Sequence, residues 1–363
     1  MQNEQVIPFV KNLRRGRGST ENPDGRFEST KRDPIFDGWT DPEIAGQPLK
    51  TTVTLENPKS IISRNTSPDL PFDRSINAYR GCEHGCIYCF ARPTHSYMNL
   101  SPGLDFESRL FAKPNAAELL AKEISKPSYR CRPIALGTNT DPYQPIEREY
   151  AITREIIEVL SDARHPFTIT TKSDLVLRDL DLLAPLAREN LVSVGISVTT
   201  LDRSLARAME PRASTPAKRL SAIQELASAG IPTLVQIAPI IPGLNDPELE
   251  QIMEAAHQRG ALSAIYLLLR LPHEVSALFQ QWLLENYPDR ASRVMKLVRS
   301  TRGGKDYDAE FGTRMIGKGP YAALINHRFN LACRQLGFRR RKYDLATDLF
   351  KRPTAPTNQM SLF

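Results

Sequence analysis

The sequence predicts an α/β protein built around a partial (β/α)6, TIM-like barrel, with an N-terminal extension and a basic, α-rich C-terminal region. From residue 75 onwards, short apolar runs alternate with amphipathic stretches, which is the pattern of strand and helix units around a parallel sheet. The first 70 residues are rich in Arg, Asn, Asp, Pro and Gly and lack this pattern. Between residues 290 and 352, 16 Lys or Arg residues accompany only 5 Asp or Glu residues.

Six apolar runs account for the barrel strands. We place them at residues 75–80, 133–138, 167–172, 192–198, 232–241 and 264–269. Right-handed crossovers between such units curl the sheet, and functional residues then gather at the carboxyl ends of the strands.

One of the intervening helices has clear start and stop signals. Thr215 is suited to cap its N-terminus, and Pro216 suits the first helical position. Leu220, Ile223 and Leu226 fall on one helical face, and Gly230 ends the helix before the next strand.

The pattern divides the chain into four segments. Residues 1–70 are expected to be extended or partly disordered, and residues 71–275 to form the barrel. Residues 276–352 form the basic C-terminal region, and residues 353–363 a flexible tail after a proline-rich stretch.

Charge and composition indicate the kind of partner and the location of the protein in the cell. The formal net charge is +7, whereas residues 290–352 alone carry an excess of 11 positive charges, so the rest of the chain is slightly acidic. Such asymmetry is expected of a nucleic-acid-binding segment. No apolar run reaches the roughly 20 residues of a membrane helix, and the first residues lack the apolar core of a signal peptide, so we expect a cytoplasmic protein without a membrane partner.

The cysteines indicate a metal site. Five are present, and Cys82, Cys86 and Cys89 form a C-x3-C-x2-C motif just after the first predicted strand. Three thiolates can hold three irons of a cubane and leave the fourth iron without a protein ligand. The alternatives are a zinc site completed by His84 or His95, which would need four protein ligands, or a cluster of free thiols.

This spacing, with Tyr88 just before the last cysteine, resembles the signature of the radical S-adenosylmethionine (SAM) superfamily. The resemblance implies a 4Fe-4S cluster whose open iron is chelated by SAM. It also implies that one electron, from a donor such as flavodoxin or ferredoxin, cleaves SAM to a 5'-deoxyadenosyl radical that abstracts hydrogen from a substrate.

Polar residues at the ends of later strands are candidates for binding SAM. Thr138, Asn139 and Thr140 follow the second strand and would meet the methionine amino group, while Lys172 and Arg212 would meet its carboxylate. Ser197 is a candidate ribose ligand, Tyr88 a further cofactor-binding residue, and residues 238–243 would flank the adenine. Each of these polar residues has a structural alternative, as a turn former, a helix cap or a solvated loop residue.

Further segments resemble the spore photoproduct lyase-like branch of the superfamily. They are NAYRGCEHGCIYCFARPTHSY, GTNTDPYQPIE, TTKSDL and EPRAS, within residues 70–275. In that branch a strand-end cysteine returns hydrogen to the thymine product, and here Thr138 stands in its place. A threonine hydroxyl is a far poorer hydrogen-atom donor than a thiol. Thr138 and Tyr88 are nevertheless the candidate catalytic residues.

The C-terminal region interleaves aromatic and basic residues. Tyr307, Phe311 and Tyr321 would stack on bases, the flexible glycines would allow close approach of a strand, and four cations would meet phosphates, namely Arg302, Lys305, Arg314 and Lys318. The alternative is a solvated basic cap whose aromatic rings pack on the barrel.

The tail ends in Gln359-Met360-Ser361-Leu362-Phe363, a Q-x-x-L-F peptide that resembles the motif by which bacterial repair proteins dock into the sliding clamp. The alternative is a tail folded onto its own core.

Taken together, these features predict a radical SAM enzyme acting on nucleic acid in DNA repair, and the resemblance to the spore photoproduct lyase-like branch indicates lyase-type chemistry. Two alternatives remain: a radical SAM enzyme that modifies RNA, a peptide or a small molecule, and a non-catalytic iron-sulfur DNA-binding protein.

Overall fold

A computed structural model describes residues 16–28, 49–339 and 344–353 of the chain. Its main feature is a seven-stranded sheet in the order β10-β9-β8-β7-β6-β3-β2. The strands are β2 (Ser63–Arg64), β3 (Arg74–Ile76), β6 (Ile134–Leu136), β7 (Phe167–Thr171), β8 (Val192–Ser197), β9 (Thr233–Ile240) and β10 (Ser263–Leu268). Six of them, β3 and β6 to β10, pair in parallel, and β2 adds an antiparallel edge.

The six parallel strands are those expected from the sequence, so the predicted barrel fold is confirmed. Most of their buried residues are apolar, as a parallel sheet covered by helices requires, and Gln236 of β9 is a buried polar exception. The first strand differs from the prediction, because β3 ends at Ile76. The chain then leaves the large sheet at Asn77, and β4 (Tyr79–Arg80) pairs with another strand.

A second, three-stranded sheet lies beside the barrel in the order β1-β5-β4. It contains β1 (Thr52–Leu55), from the N-terminal segment, and β5 (Arg109–Ala112). β1 pairs in parallel with β5, so the described part of the N-terminal segment is integrated into the fold.

Helices cover the outside of the sheet and follow the strands in alternation. They are α1 (Leu104–Ser108), α2 (Ala116–Ile124), α3 (Glu147–Tyr150), α4 (Ile152–Asp162), α5 (Leu180–Arg188), α6 (Arg203–Met209), α7 (Pro216–Ser228), α8 (Leu249–His257), α9 (Glu274–Asn286), α10 (Pro288–Ser300) and α11 (Pro320–Leu336). Short 3-10 turns lie at Arg92–Met98, Asp174–Asp179 and Asp246–Glu248.

Helix α7 has the start and stop that its sequence predicts. The Thr215 side chain accepts a hydrogen bond from the amide of Lys218, and Gly230 adopts a φ of 78° after the last turn. Leu220, Ile223 and Leu226 are buried against the sheet.

The apolar core has two main parts. One fills the barrel and its helix layer. The other joins the cysteine loop, through Cys86, Ile87 and Tyr88, to Leu205 and Met209 of α6 and to helices α9 and α10. The loop is therefore docked on a packed surface. No helix among the described residues is long and apolar enough to cross a membrane.

Candidate iron-sulfur and SAM site

The cysteine loop begins directly after β4 and lies at the carboxyl ends of the barrel strands. Inside the loop, the amide of Gly85 donates to the carbonyl of Cys82 over 3.3 Å, and the amide of Cys89 donates to the carbonyl of Cys86 over 3.1 Å. Gly85 adopts a φ of 68°, a conformation that a residue with a Cβ rarely takes. These turns fold the segment that carries the three cysteines into a compact loop.

Neighbouring elements hold the loop in place. The amide of Glu83 donates to the Gln144 side chain over 2.8 Å, and the Gln144 amide group donates to the carbonyl of Gly81. On the other side, the amide of Ile87 donates to the carbonyl of Met209 over 3.0 Å. The loop thus spans the gap between the segment after β6 and the end of α6.

The surroundings of the three thiols indicate that their thiolates need a bound cation. Burial raises the pKa of Cys82, Cys86 and Cys89, that of Cys86 to about 12, and the neighbouring thiols raise the pKa of Cys82 and Cys86 further. Opposing this, the charge of Lys172 lowers the pKa of Cys86 and Cys89. Bound iron supplies the much larger positive charge that buried thiolates need.

The donor set also distinguishes a cluster from a single ion. Among the described residues, no three His, Cys, Asp or Glu side chains converge as they would around one metal ion. A cubane does not require that convergence, because each thiolate bonds a different iron. The residues present therefore fit a 4Fe-4S cluster held by Cys82, Cys86 and Cys89.

Tyr88 is tied to a buried ion pair. Its hydroxyl donates to Glu210, which also accepts from the Thr199 hydroxyl over 2.5 Å and forms an ion pair with Arg219. Burial alone would raise the pKa of Glu210, but the charges of Arg219 and Lys172 hold it at about 2. Glu210 is thus a carboxylate with three donors, and it fixes the ring of Tyr88 beside the cluster loop.

Lys172 and Ser197 meet beside Tyr88, as their positions at strand ends predict. The Lys172 ammonium donates to Ser197 Oγ over 2.7 Å and lies 5.9 Å from the centre of the Tyr88 ring. Both residues follow or end parallel strands, β7 and β8, so their side chains share the barrel mouth with the cysteine loop. An ammonium in this position is available to a carboxylate ligand.

The residues after β6 wrap around Asn77. The Asn77 amide donates to Thr138 Oγ1 over 3.1 Å, and its carbonyl oxygen accepts from the backbone amides of Asn139 and Thr140. The Thr140 hydroxyl lies 3.4 Å from the carbonyl of Tyr79. The three residues are therefore grouped at the mouth of the barrel, and several of their polar groups form hydrogen bonds with Asn77.

Asp141 links this group to the cluster loop. It accepts from the Thr171 hydroxyl over 2.6 Å and from the Lys172 amide over 2.8 Å, and it lies 3.3 Å from His84 Nδ1. Burial would raise the pKa of Asp141, but these neighbours hold it at about 2. His84, which the sequence allowed as a zinc ligand, is thus engaged by a carboxylate.

Arg212 contacts the cysteine loop. Its guanidinium forms an ion pair with Glu83 of that loop. It also lines a cavity of about 210 Å³ with His84, Arg148 and Lys218. Among the described residues, no hydrogen bond or ion pair joins the Arg212 side chain to Lys172 or Ser197.

Two residues of the C-terminal region that were predicted to contact nucleic acid instead contact the protein itself. Arg302 is fully buried and donates to the carbonyls of Leu268, Leu269, Thr313 and Arg314, so its assignment to phosphate binding is wrong. The Tyr321 hydroxyl donates to Asp246, which fixes this ring to the barrel.

Two further cations of this region have acidic partners. Arg314 pairs with Asp69 and Lys318 pairs with Asp308. Lys305 and Phe311 remain exposed. The predicted clamp residues Gln359, Leu362 and Phe363, and the basic residues 340–342, lie outside the described residues.

Comparison with known proteins decides the family. The model of the radical SAM superfamily matches residues 76–256, which contain the cysteine motif and the strands β4 to β9. The chain belongs to the radical SAM superfamily. As members of this family do, it uses a 4Fe-4S cluster and SAM, which when bound together supply a 5'-deoxyadenosyl radical after reduction.

Related sequences extend beyond the radical SAM domain. The uncharacterised protein Rv2578c of Mycobacterium tuberculosis is 40% identical over 232 residues, which are 63% of this chain and 68% of that protein. The uncharacterised protein MJ0683 of Methanocaldococcus jannaschii is 31% identical over 214 residues, which are 59% of this chain and 76% of that protein.

Among solved structures, spore photoproduct lyase shares the fold of this radical SAM protein. One such structure, a variant with bound AdoMet and dinucleoside spore photoproduct, superposes with a TM-score of 0.55 at 16% identity, covering 78% of this chain and 79% of the other. Another, with dinucleoside spore photoproduct, has a TM-score of 0.56 and covers 85% and 86%.

The radical SAM site contains residues that the sequence analysis did not single out. Asn77, Arg92 and Glu210 lie within segments quoted for the family resemblance, so a closer reading of NAYRG, ARPTHSY and EPRAS would have found them. Gln144 likewise lies within the quoted segment GTNTDPYQPIE. Arg219 lies outside the quoted segments, and its role depends on its contact with Glu210, nine positions away.

Proposed function

We propose that this radical SAM enzyme acts on nucleic acid in DNA repair, and that it holds a nucleobase on an aromatic platform formed by Phe90, Arg270 and Tyr307. Phe90 directly follows the cluster ligand Cys89, and its side chain is 42% exposed. A large exposed ring beside a reaction centre is the observation that carries the proposal.

The platform combines two rings with a cation. The guanidinium carbon of Arg270 lies 4.9 Å from the centre of the Phe90 ring and 5.9 Å from that of Tyr307. Arg270 Nη2 donates to the Tyr307 hydroxyl over 3.3 Å, while its Nε is buried without a hydrogen-bond partner. Such stacks hold unpaired bases of any sequence, because every base presents a π face.

The platform lies where a substrate must bind. Arg270 follows β10 by two residues, so it stands at the carboxyl end of the last barrel strand. Tyr307 comes from the C-terminal region, in which Phe311 also exposes 55% of its surface and stacks with Arg314 at 4.7 Å. An exposed ring, Phe311, and an exposed cation, Lys305, therefore accompany the platform in the C-terminal region, as a bound strand would require.

The identity of the strand-end residue limits the chemistry. Thr138 occupies the position of the branch's hydrogen-donating cysteine, and its hydroxyl contacts Asn77. Cys131 precedes β6 and so lies towards the opposite end of the barrel, and Cys333 packs against the core from α11. We therefore propose abstraction of hydrogen from a nucleotide without return of hydrogen from a strand-end thiol.

For the cofactor, we propose that Lys172 and Ser197 bind the carboxylate and ribose of SAM, and that the segment of Thr138, Asn139 and Thr140 accepts hydrogen bonds from the methionine amino group through its oxygen atoms. Tyr88 contributes its ring, while Arg212 orients the loop through Glu83. The electron donor we propose is a flavodoxin or ferredoxin.

Labelled substrate provides the direct test of the reaction. Anaerobically reconstituted protein is given SAM, dithionite and lesion-bearing DNA that is deuterated in its bases and sugars. We expect deuterium in the released 5'-deoxyadenosine, measured by mass spectrometry. Release of unlabelled 5'-deoxyadenosine only, with DNA bound, would contradict a nucleic-acid substrate, and label from RNA or a peptide instead would assign the alternative class.

Binding measurements test the platform itself. Stacking contributes about 1–3 kcal/mol per base, so Phe90→Ala is expected to weaken single-stranded DNA binding about tenfold in fluorescence anisotropy. Leu331→Ala is the matched control, because Leu331 is 41% exposed but lies on α11. Equal affinity of the Phe90→Ala and Leu331→Ala proteins would contradict the proposal.

A further inference from the structure

The N-terminal segment contacts the cysteine loop from behind. Gly18 and Ser19 are buried, and their backbone amides each donate to the carboxylate of Glu107 over 2.8 Å. Arg17 is also buried, and its guanidinium donates to the carbonyl of Glu107 over 2.7 Å. These residues lie almost 60 positions before the start of the family match.

Glu107 in turn holds the loop through Arg92. The two side chains form a fully buried ion pair. Arg92 Nε donates to the carbonyl of Cys86 over 2.9 Å, and its Nη2 lies 3.3 Å from the carbonyl of Gly85. Arg92 thus binds two carbonyls of the cluster-binding loop, and Glu107 fixes the position of Arg92.

A second contact connects the same segment to the loop. Arg17 Nη2 donates to the carbonyl of Leu49 over 2.7 Å and to the Thr51 hydroxyl over 2.9 Å. The Thr51 hydroxyl donates to Glu83, between the first two cluster cysteines. Arg17 therefore reaches the loop by two routes, through Glu107 and through Thr51.

Two glycines permit the close approach. A Cβ on Gly18 would clash with the carbonyl oxygen of Gly85, and a Cβ on Gly85 would lie 2.7 Å from Glu107 Oε2. The segment and the loop are therefore in backbone contact, and any side chain at Gly18 must push the segment away.

From these contacts we propose that residues 17–19 and 49–51 form a strap that positions the cluster-binding loop, so that retention of the 4Fe-4S cluster depends on residues outside the radical SAM domain. A buried carboxylate without its donors is strongly destabilised. When the strap is displaced, Glu107 loses two amide donors, the Arg92–Glu107 pair shifts, and the cysteines lose their fixed spacing. Loss of contacts that support metal ligands typically weakens metal binding roughly 10- to 100-fold.

Gly18→Ala tests the strap, and Arg26→Ala, at an exposed position of the same segment, is the control. Both proteins are reconstituted anaerobically and exposed to a chelator, and loss of the cluster is followed by its absorbance and by iron content. We expect the cluster to be lost about tenfold faster from Gly18→Ala than from Arg26→Ala. Equal rates would overturn the proposal.

Arg17→Ala provides a second variant that introduces no clash. It removes the contacts to Glu107 and Thr51 and should accelerate cluster loss in the same direction, whereas Arg26→Ala, at an exposed position of the same segment, should not. Far-UV circular dichroism and the unfolding midpoint of the cluster-free proteins show whether each variant is folded. A folded Arg17→Ala protein that retains its cluster like the Arg26→Ala protein would also refute the strap.

Discussion

The buried pair between Glu210 and Arg219 allows a quantitative prediction for Glu210→Gln. Both side chains are at most 2% exposed, and Glu210 accepts from Arg219, Tyr88 and Thr199. The substitution leaves the Arg219 charge buried without its partner. Removing one member of a buried pair costs about 3–5 kcal/mol, so we expect the free energy of unfolding to fall by about that amount.

Urea denaturation of the cluster-free protein measures this change. The control is Glu189→Gln, which breaks the exposed pair between Arg164 and Glu189 and should cost less than about 1 kcal/mol. In the double variant Glu210→Gln/Arg219→Met neither charge of this pair remains, so part of the lost free energy of unfolding should be recovered. A loss below about 1 kcal/mol for Glu210→Gln, or strict additivity in the double variant, would refute the reasoning.

Three further predictions concern stability and binding. Burial lowers the pKa of His165 to about 4 from its ordinary 6.5, so the unfolded state takes up a proton first as the pH falls. The stability due to neutral His165 is therefore complete above pH 6.5 and lost towards pH 4. From urea denaturation, the free energy of unfolding should fall less between pH 7 and pH 5 for His165→Gln than for the wild type, by up to about 1.4 kcal/mol per pH unit below 6.5. An unchanged fall would contradict this. Arg302→Ala should lower the free energy of unfolding by about 3 kcal/mol or more, because buried carbonyls lose their donor. Lys305→Gln should leave the free energy of unfolding unchanged and weaken DNA binding in a salt-dependent manner. Weaker DNA binding with unchanged stability for Arg302→Ala would restore Arg302 as a phosphate ligand. Replacing Leu362 and Phe363 by alanine should abolish capture by a sliding clamp in a pull-down, and undiminished capture would remove the clamp hypothesis.

The sequence predicted the parts of this molecule that have a local signal. The six parallel strands are continuous apolar runs, and the helix from Pro216 to Ser228 carries its own cap and stop. The cluster cysteines lie within eight positions, so spacing alone identified them. Each of these features can be recognised within one element of the chain.

Features that depend on distant contacts were not predicted. In the sequence, Arg302 and Lys305 are both cations of the same basic stretch, and no local feature separates them. The carbonyls that surround Arg302 come from the carboxyl end of β10 and from residues 313–314. Likewise, the significance of Glu107 arises from amides almost 90 residues earlier. Charge content does not reveal whether a cation faces water or carbonyl oxygens, because only the folded chain sets its neighbours.

The parallel pairing of β1 with β5 has a practical consequence for anyone who shortens the chain. A protein that starts at residue 76, where the family match begins, lacks β1 and leaves the backbone groups of Arg109–Ala112 unpaired along one side. Such a fragment also lacks β2 and most of β3. Bare strand edges recruit other chains, so it should associate and precipitate. Soluble preparations would need residues upstream of the barrel to cover that edge.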